Sequence, residues 1–319
     1  MAGSNFPNGF VGGVTIRGMP LQQTHPGEIF WVNNSSVLAK GGVGGSNNND
    51  GSYRRPFASI TYALTKCTAN RGDIIMVMPG YDEDVQGAGG EAWNVNGVAI
   101  IGLGSGDKKP VLTFGNGTVA DSVVVTGNNM SVSNFRFVSE LANLTNCVSV
   151  TTGTHFTLDG CEFMASAAAT GMNISLLTAA TATGLEVHNC TFNMESSILG
   201  VAVTDVPTEA IRLVGCDNAV IKNSKFFGNF STAAINGITT PSEGILIDGN
   251  YINNVTTSAA AGGIDLVAAC TGVISRNYIG SYEATNIDTV IDNAACAHVG
   301  NLITNVITEV GGIGGTAST

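Results

Sequence analysis

Charge is scarce in this chain. Only 12% of its 319 residues are charged and 7% are aromatic, with 8 prolines and 2 tryptophans. Long amphipathic helical patterns are scarce too, which disfavours helical bundles and two-layer folds. No apolar stretch approaches the roughly 20 residues needed to cross a bilayer as a helix. The N-terminus lacks a basic segment followed by an apolar run and a small-residue cleavage site. The expectation is a soluble chain made in the cytoplasm, with no membrane partner. Basic clusters are missing as well: 13 Lys and Arg stand against 24 Asp and Glu, a net charge of −11, which argues against a nucleic-acid partner. Seven cysteines are an odd number, without a CxxC pair or a Cys/His cluster, so buried free thiols are expected rather than a disulfide framework or zinc. His25, His155, His188 and His298 are scattered without metal-ligand spacing. No cofactor and no metal are expected.

Glycine, Asn and β-branched residues fill the space that charge leaves, and they do so periodically. Leu158-Asp159-Gly160-Cys161-Glu162-Phe163 returns as Val187-His188-Asn189-Cys190-Thr191-Phe192, and five further segments align with these two. The last position reads Phe137, Phe163, Phe192, Phe226, Ile252, Ile279, Ile303, at intervals of 24 to 34 residues. Two positions earlier stand Phe135, Cys161, Cys190, Ser224, Asn250, Asn277, Asn301. A repeat of this length marks a solenoid, because one coil cannot bury its apolar face alone but a stack can. Large apolar side chains at the anchor position imply an internal ladder through Phe137, Phe163, Phe192 and Phe226. The run Asn250, Asn277, Asn301 implies stacked amides at a turn. A short apolar stretch upstream of each copy, such as Ile211–Val214 or Ile264–Val267, gives every coil at least two strands.

Outside the repeat, residues 1–27 are rich in Gly, Pro and Asn yet carry Phe6, Phe10, Ile16, Met19 and Leu21. This is an arm, docked either on a neighbouring subunit or partner or along its own solenoid. Phe57, Ile60, Leu64 and Cys67 recur at helical spacing after Pro56, as for a helix that covers the open end of the stack. Asp82-Glu83-Asp84 follows a Pro-Gly turn and reads as a solvated turn. Residues 28–119 form the N-terminal strands, capping helix and first coils, 120–310 the repeats, with a last strand within 304–310, and 311–319 a flexible Gly-rich tail.

The succession Asn49-Asp50-Gly51, Arg55-Pro56-Phe57-Ala58-Ser59-Ile60 and Gly72-Asp73-Ile74-Ile75-Met76-Val77-Met78-Pro79-Gly80-Tyr81 resembles the N-terminal cap and first coil of the pectate-lyase-like parallel β-helix superfamily. The resemblance implies an all-β, right-handed single-stranded parallel β-helix. With the arm, the chain also resembles β-helical structural proteins of tailed bacteriophages. That implies a virion protein without catalytic activity: a homotrimeric capsid decoration on the head surface, attached through the arm and one face to the major capsid protein and other virion proteins. The alternative is a tailspike or tail fibre that binds or degrades a host glycan as a lyase or glycoside hydrolase.

Enzymes of the resembled family carry carboxylates on the outer face of one sheet, where stacking brings residues one period apart together. Asp159 and Asp248 share a repeat position but lie three coils apart, with His188 and Lys222 between, too far for the paired carboxylates of glycoside hydrolysis. Asp205, Glu209, Arg212, Asp217, Glu243 and Asp265 are the remaining candidates, with Arg212 and Asp265 at similar places two coils apart. The family's paired-Asp, Gly-His-Gly and calcium-binding signatures are not seen, so no catalytic residue is expected.

Overall fold

The computed structural model describes residues 15–16, 19–20, 27–36, 38–87, 89–167, 170–194, 206–255, 262–281, 290–292, 295–305 and 310–313. They form a parallel β-solenoid with almost no helix: two sheets of 10 strands and one of 8, with strands from successive coils side by side. The first sheet runs from Ile29–Val32 to Ala295–Val299, the second from Asp82–Asp84 to Val310–Ile313, and the third from Glu91–Trp93 to Ile291–Asp292. Each coil thus has three strands, one more than the minimum read from the repeat.

The repeated hexapeptide is the corner between the first and second sheets. Leu158 ends up inside on the first sheet, in register with Val132 and Val187, and Phe163 inside on the second, in register with Phe137 and Phe192. The chain reverses its facing between them through one left-handed residue: Asn134, Gly160, Asn189, Asn223, Gly249, Arg276 and Gly300 all have φ between 51° and 67°. Gly and Asn hold this conformation at little cost. Arg276 is the exception, and its guanidinium is bound to Asp248 of the preceding coil, with Nε at 2.8 Å from Oδ1.

Two columns tie the coils together. The rings of Phe137, Phe163, Phe192 and Phe226 stack at 4.6, 4.7 and 4.8 Å with interplanar angles of 10° or less. At the corner, the side chain of each residue accepts the backbone N–H of its counterpart one coil earlier. Asn301 Oδ1 takes Asn277 N–H at 3.0 Å, Asn277 Oδ1 takes Asn250 N–H at 3.0 Å, Asn250 Oδ1 takes Ser224 N–H at 2.9 Å and Ser224 Oγ takes Cys190 N–H at 3.2 Å. The amide ladder therefore continues through a serine. A second row of small side chains, Cys216, Ser242, Cys270 and Cys296, is buried where the third sheet returns to the first. All seven cysteines are free thiols, and six are buried.

The ends of the solenoid depart from the sequence reading in three places. The helix, α1, spans only Ile60–Leu64, capped by Ser59, whose hydroxyl accepts the Tyr62 N–H; it buries Ile60, Ala63 and Leu64. Asp82-Glu83-Asp84 is a strand and not a solvated turn. Strand alternation places Glu83 in register with the inward Leu112, where it is half-buried beside the Tyr81 hydroxyl and near buried Glu91. Val310–Ile313 runs antiparallel to Asn301–Asn305, so residues 311–313 close the edge of the second sheet rather than belonging to a tail. Within the arm, Thr15–Ile16 pairs antiparallel with Met19–Pro20, while Phe6, Phe10 and Leu21 lie outside the described residues.

Candidate functional site

Burial dictates the inward position of every third-sheet strand, and the next residue along must face out. In four successive coils an inward Ile is followed by a polar residue: Ile211-Arg212, Ile235-Asn236, Ile264-Asp265 and Ile291-Asp292. Backbone pairing sets Arg212 opposite Asn236, Asn236 opposite Asp265, and Asp265 opposite Asp292. Two candidates from the sequence, Arg212 and Asp265, are thus brought to one column, two coils apart. Asn236 and Asp292 complete it and were missed, although the recurring Ile-polar pair was visible.

Glu209 organises this column from one end. It is 2% exposed, accepts from Arg212 Nη2 at 2.8 Å and from its Nε, and accepts from Asn236 Nδ2 at 2.8 Å. The guanidinium is therefore held by a two-point fork, and the buried Asn236 amide is tied to the same carboxylate. Asp265 is half-buried and Asp292 exposed. Burial pushes the Asp265 carboxyl above its usual range, and the charges of Asp292 and Glu209 push it the same way. The column thus offers a carboxyl biased toward its protonated form beside a solvated carboxylate, with a fixed cation and an amide on the other side. Their arrangement suits proton transfer to and from a bound hydroxyl or ether oxygen.

The other candidates have structural duties. Asp217 Oδ1 accepts the Glu243 N–H at 2.8 Å across a corner. Asp159 accepts from Asn189 Nδ2 at 2.9 Å, and the Arg276 guanidinium holds the Asp248 carboxyl below its usual range. Asp159, His188, Lys222 and Asp248 do stand in register on the first sheet, which leaves the two acids three coils apart. Asp205 lies outside the described residues. Among the described residues, no group of three or more His, Cys, Asp or Glu is placed to hold a metal ion.

No protein-family model and no curated protein matches the sequence. Among solved structures, the chain is similar to a rhamnogalacturonan lyase, with a TM-score of 0.49 and 12% identity over 80% of this chain and 69% of that one. It is also similar to a GH136 lacto-N-biosidase from Eubacterium ramulus, with a TM-score of 0.32 and 9% identity over 88% of this chain and 68% of that one. Both neighbours are named as enzymes, which overturns the expectation that the chain is not an enzyme; the likeness itself concerns the path of the solenoid and assigns no activity.

Proposed function

We propose that the chain is a carbohydrate-active β-solenoid that hydrolyses a glycosidic bond on the outer face of its third sheet. The observation that carries this reading is the in-register column Arg212, Asn236, Asp265, Asp292, with Glu209 behind it. Asp265 is the general acid, because its surroundings favour the protonated form. Asp292 is the nucleophile or base. Their backbone positions are one strand spacing apart, about 4.8 Å, close to the roughly 5 Å separation of carboxyls in retaining hydrolases. Arg212 binds sugar hydroxyls, and Asn236, buried against Glu209, holds that end of the column in place.

Charge separates hydrolysis from elimination. Glu209, Asp265 and Asp292 outnumber Arg212, and the Arg212 charge is already spent on Glu209. A polyuronate would meet repulsion here, whereas a neutral glycan would not. The test is release of reducing ends from a panel of neutral and acidic polysaccharides. Activity on a neutral substrate, lowered about 10²- to 10⁴-fold by Asp265→Asn or Asp292→Asn, supports the assignment. Turnover unaffected by both substitutions, or products that are unsaturated, would defeat it.

The virion reading is a separate proposal, resting on the arm of residues 1–27 and on the resemblance to phage proteins. Nothing among the described residues favours it over the glycan reading, and its test is the presence of this chain in purified particles.

A further inference from the structure

At the N-terminal end, on the outside of the first sheet, lies a groove of about 1460 Å³ whose walls include Ile29, Trp31, Lys40, Tyr53, Arg54 and Arg55. We propose that this groove binds an oligosaccharide carrying carboxylates, with sugar rings against Trp31 and Tyr53 and the carboxylates on Arg54, Arg55 and Lys40.

The charge distribution points there first. Six arginines lie among the described residues. Four of them, Arg71, Arg136, Arg212 and Arg276, are ion-paired with a carboxylate. Arg54 and Arg55 make no such pair, are both exposed, and share the groove with exposed Lys40. Asp50 feels the Arg55 charge, but its carboxyl is lowered first by hydrogen bonds with Ser52. In a chain of net charge −11, three unpaired cations lining one groove form a local anion-attracting surface. Arginine forks match carboxylates in two-point geometry.

The walls are held in place. Arg55 N–H donates to Ser52 O at 3.0 Å, and Val43 N–H donates to Arg54 O at 2.9 Å, which joins the Lys40 side of the groove to the arginine side. Trp31 and Tyr53 meet edge to face at 4.8 Å between ring centroids and 72° between planes. Aromatic walls give flat apolar surfaces with polar tips, suited to the C–H faces and hydroxyls of a sugar. The volume exceeds the roughly 300–1000 Å³ of a compact small-molecule pocket and fits an extended chain.

A peptide occupant is disfavoured by the backbone. The outer edge of strand Ile29–Val32 is already used: Trp31 N–H donates to Gly51 O, while Phe57 N–H donates to Trp31 O, both at 2.8 Å. No open edge remains there for strand addition.

This site lies on a different sheet from the Asp265 column and carries the opposite charge, so each can fail alone. Trp93 is fully buried and Trp31 half-exposed, so a ligand-dependent change in intrinsic fluorescence reports on the groove. The full chain is titrated with an oligogalacturonate at low salt, with a maltooligosaccharide of equal length and with polyglutamate as comparisons. The expected result is a saturable response to oligogalacturonate only, weakened by added salt, and weakened tenfold or more in Arg54→Gln/Arg55→Gln with an unchanged melting profile. Asp265→Asn leaves it intact. No saturable response, equal binding of polyglutamate, or full affinity in the double variant would overturn the proposal.

Discussion

Replacing Asn277 by Ala tests the corner ladder at its middle rung. Its Nδ2 donates to Ile247 O at 2.9 Å and to Asn301 Oδ1 at 3.0 Å, and its Oδ1 accepts from the N–H and Nδ2 of Asn250, both at 3.0 Å. All three asparagines are buried. Alanine would strand the Asn250 N–H and take the Asn277 Nδ2 donor away from Ile247 O, whereas Asn250 Nδ2 keeps Ile221 O and Asn301 Oδ1 keeps Asn277 N–H. A buried donor without a partner costs about 1–3 kcal/mol, and the vacated space adds to it, for a total of about 3 kcal/mol. Serine should recover part of this, because Ser224 already performs the acceptor role toward Cys190 N–H one turn of the ladder away. Repeat stacks open coil by coil, so the assay is amide hydrogen exchange in the C-terminal coils rather than a single melting temperature. With 1.4 kcal/mol per factor of ten, exchange at Asn250 should rise roughly a hundredfold in Asn277→Ala and about tenfold or less in Asn277→Ser. Equal effects of the two substitutions, or no acceleration in the alanine variant, would refute the stranded-donor account.

Phe192→Ala, which removes a ring stacked on both sides, should cost about 3–5 kcal/mol by denaturant unfolding. Tyr278→Ala, whose ring is 41% exposed although stacked on Tyr251, should cost under about 1 kcal/mol. Burial, with the neighbouring Glu83 charge, pushes the Glu91 carboxyl from 4.5 to about 8. Between those values the unfolded chain gives up this proton while the folded one keeps it, so stability falls as pH rises, by up to about 1.4 kcal/mol per unit. Glu91→Gln should flatten that slope between pH 5 and 8, read from unfolding midpoints by Trp93 fluorescence; an unchanged slope would remove Glu91 as its source. The buried thiols, several raised by burial, should resist a disulfide reagent until the chain unfolds, when all seven react.

The inward half of this molecule was legible because burial allows few residues at each position. Phe163 under Phe192, and Asn277 over Asn250, repeat in sequence because they repeat in space. The third sheet was read as scattered apolar stretches, since the connection from the second sheet varies in length: Arg212 stands 20 positions after Phe192, whereas Asn236 stands 10 after Phe226. A search for acids at a fixed period therefore pairs the wrong residues. Glu83 was misread for a related reason, because three adjacent acids look solvated until alternation turns the middle one inward against Tyr81.

Outward positions carry no burial constraint, so whatever recurs there answers to something other than the core. On the first sheet the outward column Asp159, His188, Lys222, Asp248 sets two basic side chains between two acids, as expected of a surface kept soluble by mixed charge. On the third sheet the column Arg212, Asn236, Asp265, Asp292 places two acids on adjacent coils with no cation between them, an arrangement that costs electrostatic energy. Asp265 bears that cost as a raised carboxyl. Replacing Asp265 with Asn should relieve it, so the variant is expected to be more stable than the parent near neutral pH. A gain in stability together with a loss of glycan hydrolysis would mark the acid pair as kept for chemistry. Loss of stability in Asp265→Asn would instead mark the pair as part of the scaffold and remove the physical basis of the catalytic assignment.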